Sequence, residues 1–342
     1  MTRAVASLRE VDESWGIHLT RVAGDAPARI DDLADRLGGR VGLAGVLAAR
    51  GRQAKASRAG RALGRDVHRA YSWDRADAAD PEWWPQGISG SADSTADGVV
   101  EGRRLLVVAW YSPAPAAHGC RVTFVDLETL RYRHVLVVRP DLTPLRIHAG
   151  GVVWCGRYLH LAATAKGFVT CDLDDIVQHP EHGFVLPVRY DYRAAADRGH
   201  ARMRYSFLSL DRWSTPPAMV AGEYGRPGDT TRFARFEIDS ESGLLVSGAD
   251  DRAWPVRLDD RGLVQMQGAV IARETYVVTV SHGPWGPGSL YVGRPGHFRE
   301  RKLAVPMGPE DLTYSAPDDL IWSVTEHPRR RWFFSVRRSR LG

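Results

Sequence analysis

Cysteine and the motifs of several common chemistries are scarce in this sequence. Its 342 residues include three cysteines, Cys120, Cys155 and Cys171, without the spacing of a zinc site. We interpret them as buried thiols, since an odd set of this kind does not indicate a disulfide framework. The chain also lacks a Gly-x-Ser-x-Gly nucleophile elbow and a phosphate-cradling glycine loop. These absences argue against the common serine hydrolases and against P-loop nucleotide binding.

Long apolar runs are missing as well. No stretch reaches the roughly 18–20 apolar residues that a membrane-spanning helix needs. The N-terminus shows no basic-then-apolar signal pattern, and the nearest apolar stretch, residues 41–49, is short and begins deep in the chain. We therefore expect a cytoplasmic protein with no membrane partner.

Positive charge is confined to two segments. The formal net charge is +5, but residues 50–65 and residues 329–340 each hold six Arg or Lys and no acid. The rest of the chain holds 34 basic and 41 acidic residues. Without a broad basic face, we expect no nucleic-acid partner. The two basic segments are either solvated surface or a dock for an acidic partner, phosphate or sulfate.

What the sequence does contain is a repeated opening, in which small or polar residues stand just ahead of a short apolar run. The opening is clearest at residues 148–154. Five such openings are 63, 59, 59 and 44 residues apart. Repeats of about 40–60 residues that hold several short strands are typical of a β-propeller. The positions used for this alignment are Gly87, Gly150, Ser209, Gly268 and Leu312.

The sequence therefore predicts an all-β fold, a five-bladed β-propeller over residues 67–342, preceded by a short helical N-terminal arm at 1–66. Six blades are the alternative, if the arm or the insert at 192–205 supplies another. Apolar residues at helical spacing over 30–41 and an Ala- and Arg-rich stretch at 43–66 indicate the helices. The fifth blade shows only three strands, and an open sheet edge is costly. We expect residues 68–73 to close the ring beside its last strand.

The innermost strands of a propeller run side by side around a central tunnel, and their first residues line one mouth of it. A carboxylate on such an axis is costly unless it is paired, metal-bound or used. We therefore predict a polar site there, with His148, Glu310 and Asp311 as the catalytic candidates. The third opening contributes Ser206 or Ser209. The substrate-binding candidates come from the openings, from a Ser-rich loop and from second-strand ends, whose rim the sequence does not specify: Gln86, Asp93, Tyr111, Ser209, Glu223, Gln267 and His282.

Two alternatives stay open at these positions. The amides of Gln86 and Gln267 can equally satisfy neighbouring backbone groups, as buried amides must. No His/Cys spacing indicates zinc, so we predict neither a metal centre nor a cofactor. Oxygen atoms of Gln86, Asp93, Glu310 and Asp311 would nevertheless suit a Ca²⁺ ion on the axis, although no spacing specifies one.

Six short motifs carry a resemblance: Trp84-Pro85-Gln86-Gly87, His148-Ala149-Gly150-Gly151, Ser209-Leu210-Asp211-Arg212, Gly222-Glu223-Tyr224, Met266-Gln267-Gly268 and Pro309-Glu310-Asp311-Leu312. Over about residues 68–340 they resemble a family of largely uncharacterised actinobacterial β-propeller proteins. Its members usually look secreted, whereas here an Arg-rich arm stands in place of a signal peptide. The chain also resembles the propeller-like component of aziridine-forming enzyme pairs in azinomycin-type antibiotic pathways. That resemblance implies specialised metabolism and a protein complex with a sulfotransferase.

Two functional hypotheses follow. In the first, the protein is an enzyme that closes an aziridine ring: an amine of a small polar substrate attacks a carbon that bears sulfate, and one of the catalytic candidates acts as the base. Hydrolysis by the same carboxylates is a variant of this hypothesis. In the second, the propeller is a non-catalytic module that binds a glycan or a protein partner through Trp83, Trp84 and Trp285. A deep polar funnel would favour the enzyme, and a plugged axis with aromatic rims would favour the binding module.

Overall fold

The computed structural model describes residues 15–114 and 116–342, so residues 1–14 of the predicted arm lie outside the described residues. Strands dominate, and the arm holds most of the helices. None of the helices in the described residues is long and apolar enough to cross a membrane. The elements up to residue 80 are β1 (Ile17–Val22), α1 (Ala26–Arg36), α2 (Gly42–Ala48), β2 (Arg52–Gln53), β3 (Lys55–Ala56), α3 (Arg58–Ala62), β4 (Val67–Ser72) and α4 (Arg75–Ala79).

The first helix of the arm forms as its residue spacing predicts. Pro27 stands in the first turn of α1, where its missing N–H is not needed, and Ile30 and Leu33 are buried on one face. The stretch 43–66, expected as one helix, is instead two short helices separated by β2 and β3. The pairing of Arg52 with Tyr132 of a propeller strand overrides the helix preference of the local sequence.

Beyond the arm, the chain folds into antiparallel sheets. The strands in chain order are β5 (Trp84–Gly90), β6 (Leu105–Tyr111), β7 (Cys120–Asp126), β8 (Arg131–Val138), β9 (Val152–Cys155), β10 (Tyr158–Ala162), β11 (Gly167–Asp172), β12 (Val177–His179), β13 (Gly183–Ala196), β14 (Phe207–Asp211), β15 (Ala218–Gly222), β16 (Phe233–Glu237), β17 (Arg252–Ala253), β18 (Arg257–Asp259), β19 (Met266–Ala272), β20 (Thr275–Val280), β21 (Gly288–Arg294), β22 (His297–Val305), β23 (Pro309–Ser315), β24 (Leu320–Thr325) and β25 (Trp332–Arg337). One further short helix, α5 (Ser91–Ser94), follows β5.

Hydrogen bonding joins these strands into one 12-stranded sheet, two four-stranded sheets and one five-stranded sheet. Within them we distinguish four-stranded units and interpret each as one blade. The units are β5-β6-β7-β8, β9-β10-β11-β13, β14-β15-β16-β18, β19-β20-β21-β22 and β23-β24-β25-β4. Strand β13 also pairs in parallel with β8 and antiparallel with β1, so it joins the first two units and receives the arm. The protein is an all-β propeller, as the repeat of openings predicts.

The ring is closed by a strand from the N-terminal side. Trp332 pairs with Ser72 and Phe334 pairs with Ala70, which makes β4 the outer partner of β25. This confirms the predicted closure by residues 68–73. The junction is sealed by aromatic packing, with the rings of Trp73 and Trp110 centred 4.9 Å apart and both side chains fully buried. Burial of a large apolar side chain stabilises a fold by about 1.5–3 kcal/mol.

The innermost strands β5, β9, β14, β19 and β23 lie side by side around the axis. Glycine is required where their backbones come closest. A Cβ on Gly151 would stand 2.1 Å from the backbone nitrogen of Leu208, and one on Gly268 would stand 2.5 Å from the Cα of Asp311. The bare Cα atoms in the repeated openings therefore set how closely the inner strands converge.

Candidate functional site

The antiparallel pairing decides which residues share a rim. Trp84 pairs with Tyr111, Phe207 with Gly222, and Pro309 with Thr325, so the start of each inner strand lies beside the end of its second strand. Second-strand ends therefore lie on the same rim as the inner-strand openings, which the sequence left undecided.

A cavity of about 460 Å³ opens at the point of that rim where the inner strands converge. We call it the axial cavity. Every opening contributes a polar side chain to its wall: Gln86, His148, Ser206, Gln267 and Glu310. The structure thus brings together residues that lie up to 224 positions apart in the sequence, from Gln86 to Glu310.

A pair of carboxyl groups forms part of this cavity, Glu310 from β23 and Glu326 from the end of β24. The two carboxyl groups lie within hydrogen-bonding reach of each other, and each shifts the pKa of the other. Burial, reinforced by the charges of Glu326 and Asp311, raises the pKa of Glu310 well above its usual range. Burial also raises the pKa of Glu326, although less. Because two charges this close oppose one another, the pair favours retaining a proton, and Glu310, with the larger rise in pKa, is the carboxyl that releases its proton last.

Glu326 is held in place from two sides. The Gln86 side-chain amide donates a hydrogen bond of 2.9 Å to its Oε2, which identifies one use for that buried amide. The Arg331 Nε donates to the Glu326 backbone carbonyl at 2.7 Å, and Arg331 Nη1 donates to the carbonyls of Asp77 and Asp80 at 2.9 and 2.7 Å. The guanidinium charge favours the ionised form of Glu326 and so opposes the rise in its pKa.

Glu310 has one oxygen left over. Among residues 15–114 and 116–342, its Oε1 meets no hydrogen-bond partner. A buried polar atom of this kind is uncommon and costs free energy unless a ligand or water satisfies it. The pair therefore combines Glu310, which has spare hydrogen-bonding capacity and the higher pKa, with Glu326, which is positioned by Gln86.

His148 and Tyr111 form a second part of the site. Their rings meet edge to face, with centroids 4.3 Å apart. Although His148 is exposed as a residue, its ring lies against the wall of a concave surface, and the resulting desolvation lowers its pKa. Its imidazole is therefore neutral at pH 7 and can accept or donate one hydrogen bond. Burial, with the charges of Glu326 and Glu310, raises the pKa of the Tyr111 hydroxyl to about 12, which keeps it a donor.

Asp311 does not line the axial cavity, which corrects its assignment as a catalytic candidate. The residue is fully buried. Its Oδ2 accepts hydrogen bonds from the backbone amides of Ile88 at 3.2 Å and Val152 at 3.3 Å, which fastens β23 to β5 and β9. The axis is therefore closed by hydrogen bonds beneath a polar cavity.

Asp93 and Ser209, predicted to bind substrate, are also internal ties. Asp93 Oδ2 accepts hydrogen bonds from the hydroxyls of Ser89 at 2.5 Å and Thr313 at 2.6 Å. Ser209 Oγ donates to the Ala269 carbonyl at 2.6 Å, so it joins β14 to β19. All of these groups are buried away from the rim because they connect inner strands below it.

Glu223 and His282 belong to the rim but not to the wall of the axial cavity. Glu223 is fully buried in a bidentate ion pair with Arg232, with Nη2 to Oε1 at 2.9 Å and Nε to Oε2 at 3.0 Å. That pairing keeps the pKa of Glu223 low despite its burial. His282 Nε2 lies 2.9 Å from Ser289 Oγ. We therefore reassign both side chains to the structure of the third and fourth blades.

Sequence reasoning did not select Glu326 as a site residue. Its signal was present, since Glu326 ends a second strand as Tyr111 and Glu223 do. Without the shared rim, however, nothing distinguished it from other polar strand ends. The structure adds further polar side chains to the cavity wall: Thr164, Arg204, Tyr224, Arg226 and Asp229.

The donor atoms considered for axial calcium lie at two levels. Gln86 and Glu310 line the cavity, whereas Asp93 and Asp311 bind protein groups beneath it. Within the part of the chain that the structure describes, no group of three or more His, Cys, Asp or Glu residues is arranged to hold a metal ion.

Comparisons with known proteins add little to this geometry. No protein-family model matches the chain, and no curated protein matches it. Among solved structures, it is similar to the GH43_1 enzyme from Xanthomonas citri complexed with xylotriose, with 11% identity, a TM-score of 0.38, and coverage of 76% of this chain and 91% of that one.

Two further solved structures are similar at the same level. The β-propeller domain of Cps50 (Swd1) from Myceliophteria thermophila shows 11% identity and a TM-score of 0.36, over 75% of this chain and 100% of that one. CoXyl43, a GH43 β-xylosidase/α-arabinofuranosidase from a compost microbial metagenome, shows 9% identity and a TM-score of 0.38, over 76% and 92%. The assignment of the fold rests on the strand pairing of this chain itself.

Proposed function

We propose that the protein is a hydrolase in which Glu310 and Glu326 together cleave an acyl bond, an ester or an amide, of a small polar molecule. The observation that carries this proposal is the pair itself: two buried carboxyl groups on the wall of an open cavity, with the pKa of Glu310 raised more than that of Glu326. A pair that holds a single proton supplies a general acid and a general base at one place.

The chemistry needs only water as a second reactant. The Glu326 carboxylate takes a proton from a water molecule as the water oxygen bonds to the acyl carbon. Glu310 first hydrogen-bonds to the acyl oxygen and then gives its proton to the departing oxygen or nitrogen as the acyl bond breaks. Transfer of a proton from Glu326 to Glu310 restores the starting state, so protons and atoms balance over the cycle.

The spacing of the two carboxyl groups separates this proposal from glycoside hydrolysis. Glycosidases hold their two carboxyl groups about 5–5.5 Å or about 6.5–9.5 Å apart, to leave room for the sugar carbon or for a water molecule. Glu310 and Glu326 instead lie within direct hydrogen-bonding reach of each other. So close a pair is typical of carboxyl dyads that share one proton and activate a water molecule, which then attacks the acyl carbon.

The test uses two conservative variants and a matched control. Glu310→Gln and Glu326→Gln remove one carboxyl each, and Glu128→Gln changes an exposed glutamate outside the axial cavity. Panels of chromogenic esters, amides and glycosides in ¹⁸O-labelled water should give labelled acid from an ester or amide. We expect both site variants to lose at least about 100-fold in kcat while the control keeps it. Turnover of glycosides alone, or wild-type rates in both site variants, would overturn the proposal.

A binding module is the second candidate, supported by one surface feature. Trp285 is 78% exposed, and the Arg330 guanidinium lies 3.9 Å from its ring centre. Both residues belong to loops that follow second strands, so they lie on the same rim as the axial cavity. Trp285→Ala should weaken binding of a glycan or protein partner without altering acyl turnover. Trp83 is less accessible, because Arg121 covers its ring at 4.5 Å.

Aziridine closure with a sulfate leaving group, and the sulfotransferase partner that it implies, stay predictions. The same carboxyl pair would supply the base that ring closure requires. The close carboxyl pair favours hydrolysis, because that reaction uses both the proton of Glu310 and the carboxylate of Glu326.

A further inference from the structure

A second and larger cavity, of about 670 Å³, opens beside the axial cavity. It lies between the loop 139–147 that leads into β9, the turn 163–166 between β10 and β11, and the outer strand β13. We call it the basic cleft. Its floor is apolar, formed in part by Leu145, Ile147 and Phe168. No sequence motif pointed to this cleft.

Cations surround that floor. Asp191 is the one acidic residue among the lining residues, and both of its oxygens are taken by Arg139 Nη1 at 2.9 Å. The other four cations form no side-chain hydrogen bond and no ion pair with any residue of 15–114 or 116–342. The cationic residues of the cleft are Arg139, Arg146, Lys166, Arg193 and Arg202.

Several arginines that border other cavities are neutralised instead, as Arg204 is by Asp229 at 3.3 Å and Arg235 is by Asp211. Converging cations without counter-charges raise the local potential and attract anions, most strongly in a concave surface from which water is partly excluded.

The basic cleft and the axial cavity share a wall. Ala163, Ala165 and Lys166 line the cleft, while Thr164 of the same turn lines the cavity. Likewise, Arg202 faces the cleft and Arg204 faces the cavity. The basic cleft and the axial cavity are therefore neighbours, separated by the turn at Thr164.

We propose that the basic cleft binds the anionic end of the substrate whose acyl bond lies at Glu310 and Glu326. The proposal rests on the proposed function for the identity of that other end. The ligand is a small molecule with a carboxylate, sulfate or phosphate group at one end and an ester or amide at the other. Arginine suits all three oxyanions because its planar fork matches their oxygen atoms.

The first experiment tests the cleft without any catalysis. Calorimetric titrations with inorganic sulfate, inorganic phosphate and acetate at low ionic strength distinguish the three kinds of anion. In the double variant Arg146→Ala/Lys166→Ala, we expect the Kd of the preferred anion to rise about tenfold, the loss of two exposed ion pairs. The control Arg75→Ala/Lys302→Ala removes the same charge from exposed positions outside the cleft and outside both basic segments, and should leave the Kd unchanged. Equal affinity in the wild type and the cleft variant would overturn the proposal.

The second experiment tests the link between the two spaces. Acyl substrates with and without a carboxylate tail should differ in KM for the wild type, and the cleft variant should abolish that difference by raising the KM of the tailed substrate. Raised salt should weaken the preference as well. A preference that survives in the cleft variant would contradict the shared-substrate model. So would tighter binding of duplex DNA than of any small anion, lost in the same variant.

The two proposals fail in different ways. Glu310 lies outside the basic cleft, so the Glu310→Gln variant should bind the anion with the same Kd as the wild type. Anion binding that depends on the cleft, in a protein with no acyl turnover, would overturn the proposed function and retain the cleft as an anion site.

Discussion

Glu310 and Asp311 are consecutive residues, both buried, and desolvation raises the pKa of both carboxyl groups, yet their surroundings give them different uses. Asp311 meets backbone amides of two neighbouring strands, and Glu310 meets a second carboxyl group and an open cavity. A shift in strand register between Pro309 and Leu312 separates the two side chains. A raised pKa therefore shows only that a carboxyl group is buried. Its hydrogen-bond partners show whether it stabilises the fold or is available to a ligand.

The largest expected effect separates the two residues by turnover. Glu310→Gln should lower kcat by about 10²–10⁴-fold, because it removes the general acid. Asp311→Asn keeps an oxygen that can accept from the amides of Ile88 and Val152, so the folded fraction should retain kcat within a few-fold. Active-site titration combined with initial rates measures both. Equal losses of kcat in the two variants would contradict the different roles assigned to Glu310 and Asp311.

Stability should show the opposite order. Asp311→Ala leaves two buried backbone amides without an acceptor and should cost about 3 kcal/mol of the free energy of unfolding. Glu310→Gln removes a carboxyl group whose ionised form is repelled by Glu326. It should therefore leave the free energy of unfolding unchanged or increase it. Urea denaturation followed by tryptophan fluorescence measures both values. A Glu310→Gln variant less stable than Asp311→Ala would contradict the comparison.

The pH dependence of stability tests the role of Glu310 in this comparison. The folded pKa of Glu310 lies above its unfolded value, so the folded state binds more protons between the two values and loses stability as the pH rises through that window. The contribution is fully present below the unfolded pKa of about 4.3, and each tenfold difference in proton affinity between the two states contributes about 1.4 kcal/mol. Unfolding free energies at pH 5 and pH 8 should differ less in Glu310→Gln than in the wild type. An unchanged difference would mean that Glu310 holds no extra proton.

The smallest expected effect concerns Arg331, a positioning residue. Arg331→Met removes the cation near Glu326, so the pKa of Glu326 should rise and the acidic limb of the pH–rate profile should move to higher pH. Arg331→Lys keeps the charge but not the fork that holds three carbonyls, so it should restore the limb with a kcat a few-fold lower. If Arg331 had a purely structural role, the acidic limb of the pH–rate profile would stay at the same pH in both Arg331 variants.

Much of the fold can be predicted from the sequence because it depends on the periodic spacing of short motifs. The spacing of glycine-containing openings predicts the propeller, and the missing strand of the last blade predicts its closure by β4. The shared mouth of Gln86, His148, Gln267 and Glu310 follows from the same geometry.

The details of the site were less accessible for identifiable reasons. Glu326 depends on which rim the second strands reach, and that depends on strand register. Asp311 was misassigned because the register shift beside it is invisible in the sequence. The basic cleft joins residues of a loop, a turn and an unusually long strand, β13, and only their three-dimensional arrangement makes them neighbours.

The strand that closes the ring also helps to position one carboxyl group of the axial cavity. Strand β4 leads directly into α4 and Asp80, whose carbonyls hold Arg331, and Arg331 in turn holds the backbone of Glu326. Ser72 of β4 and Trp332 of β25 are 260 positions apart in the sequence, yet they pair directly. The contacts that place the backbone of Glu326 therefore exist only when these two distant segments have come together.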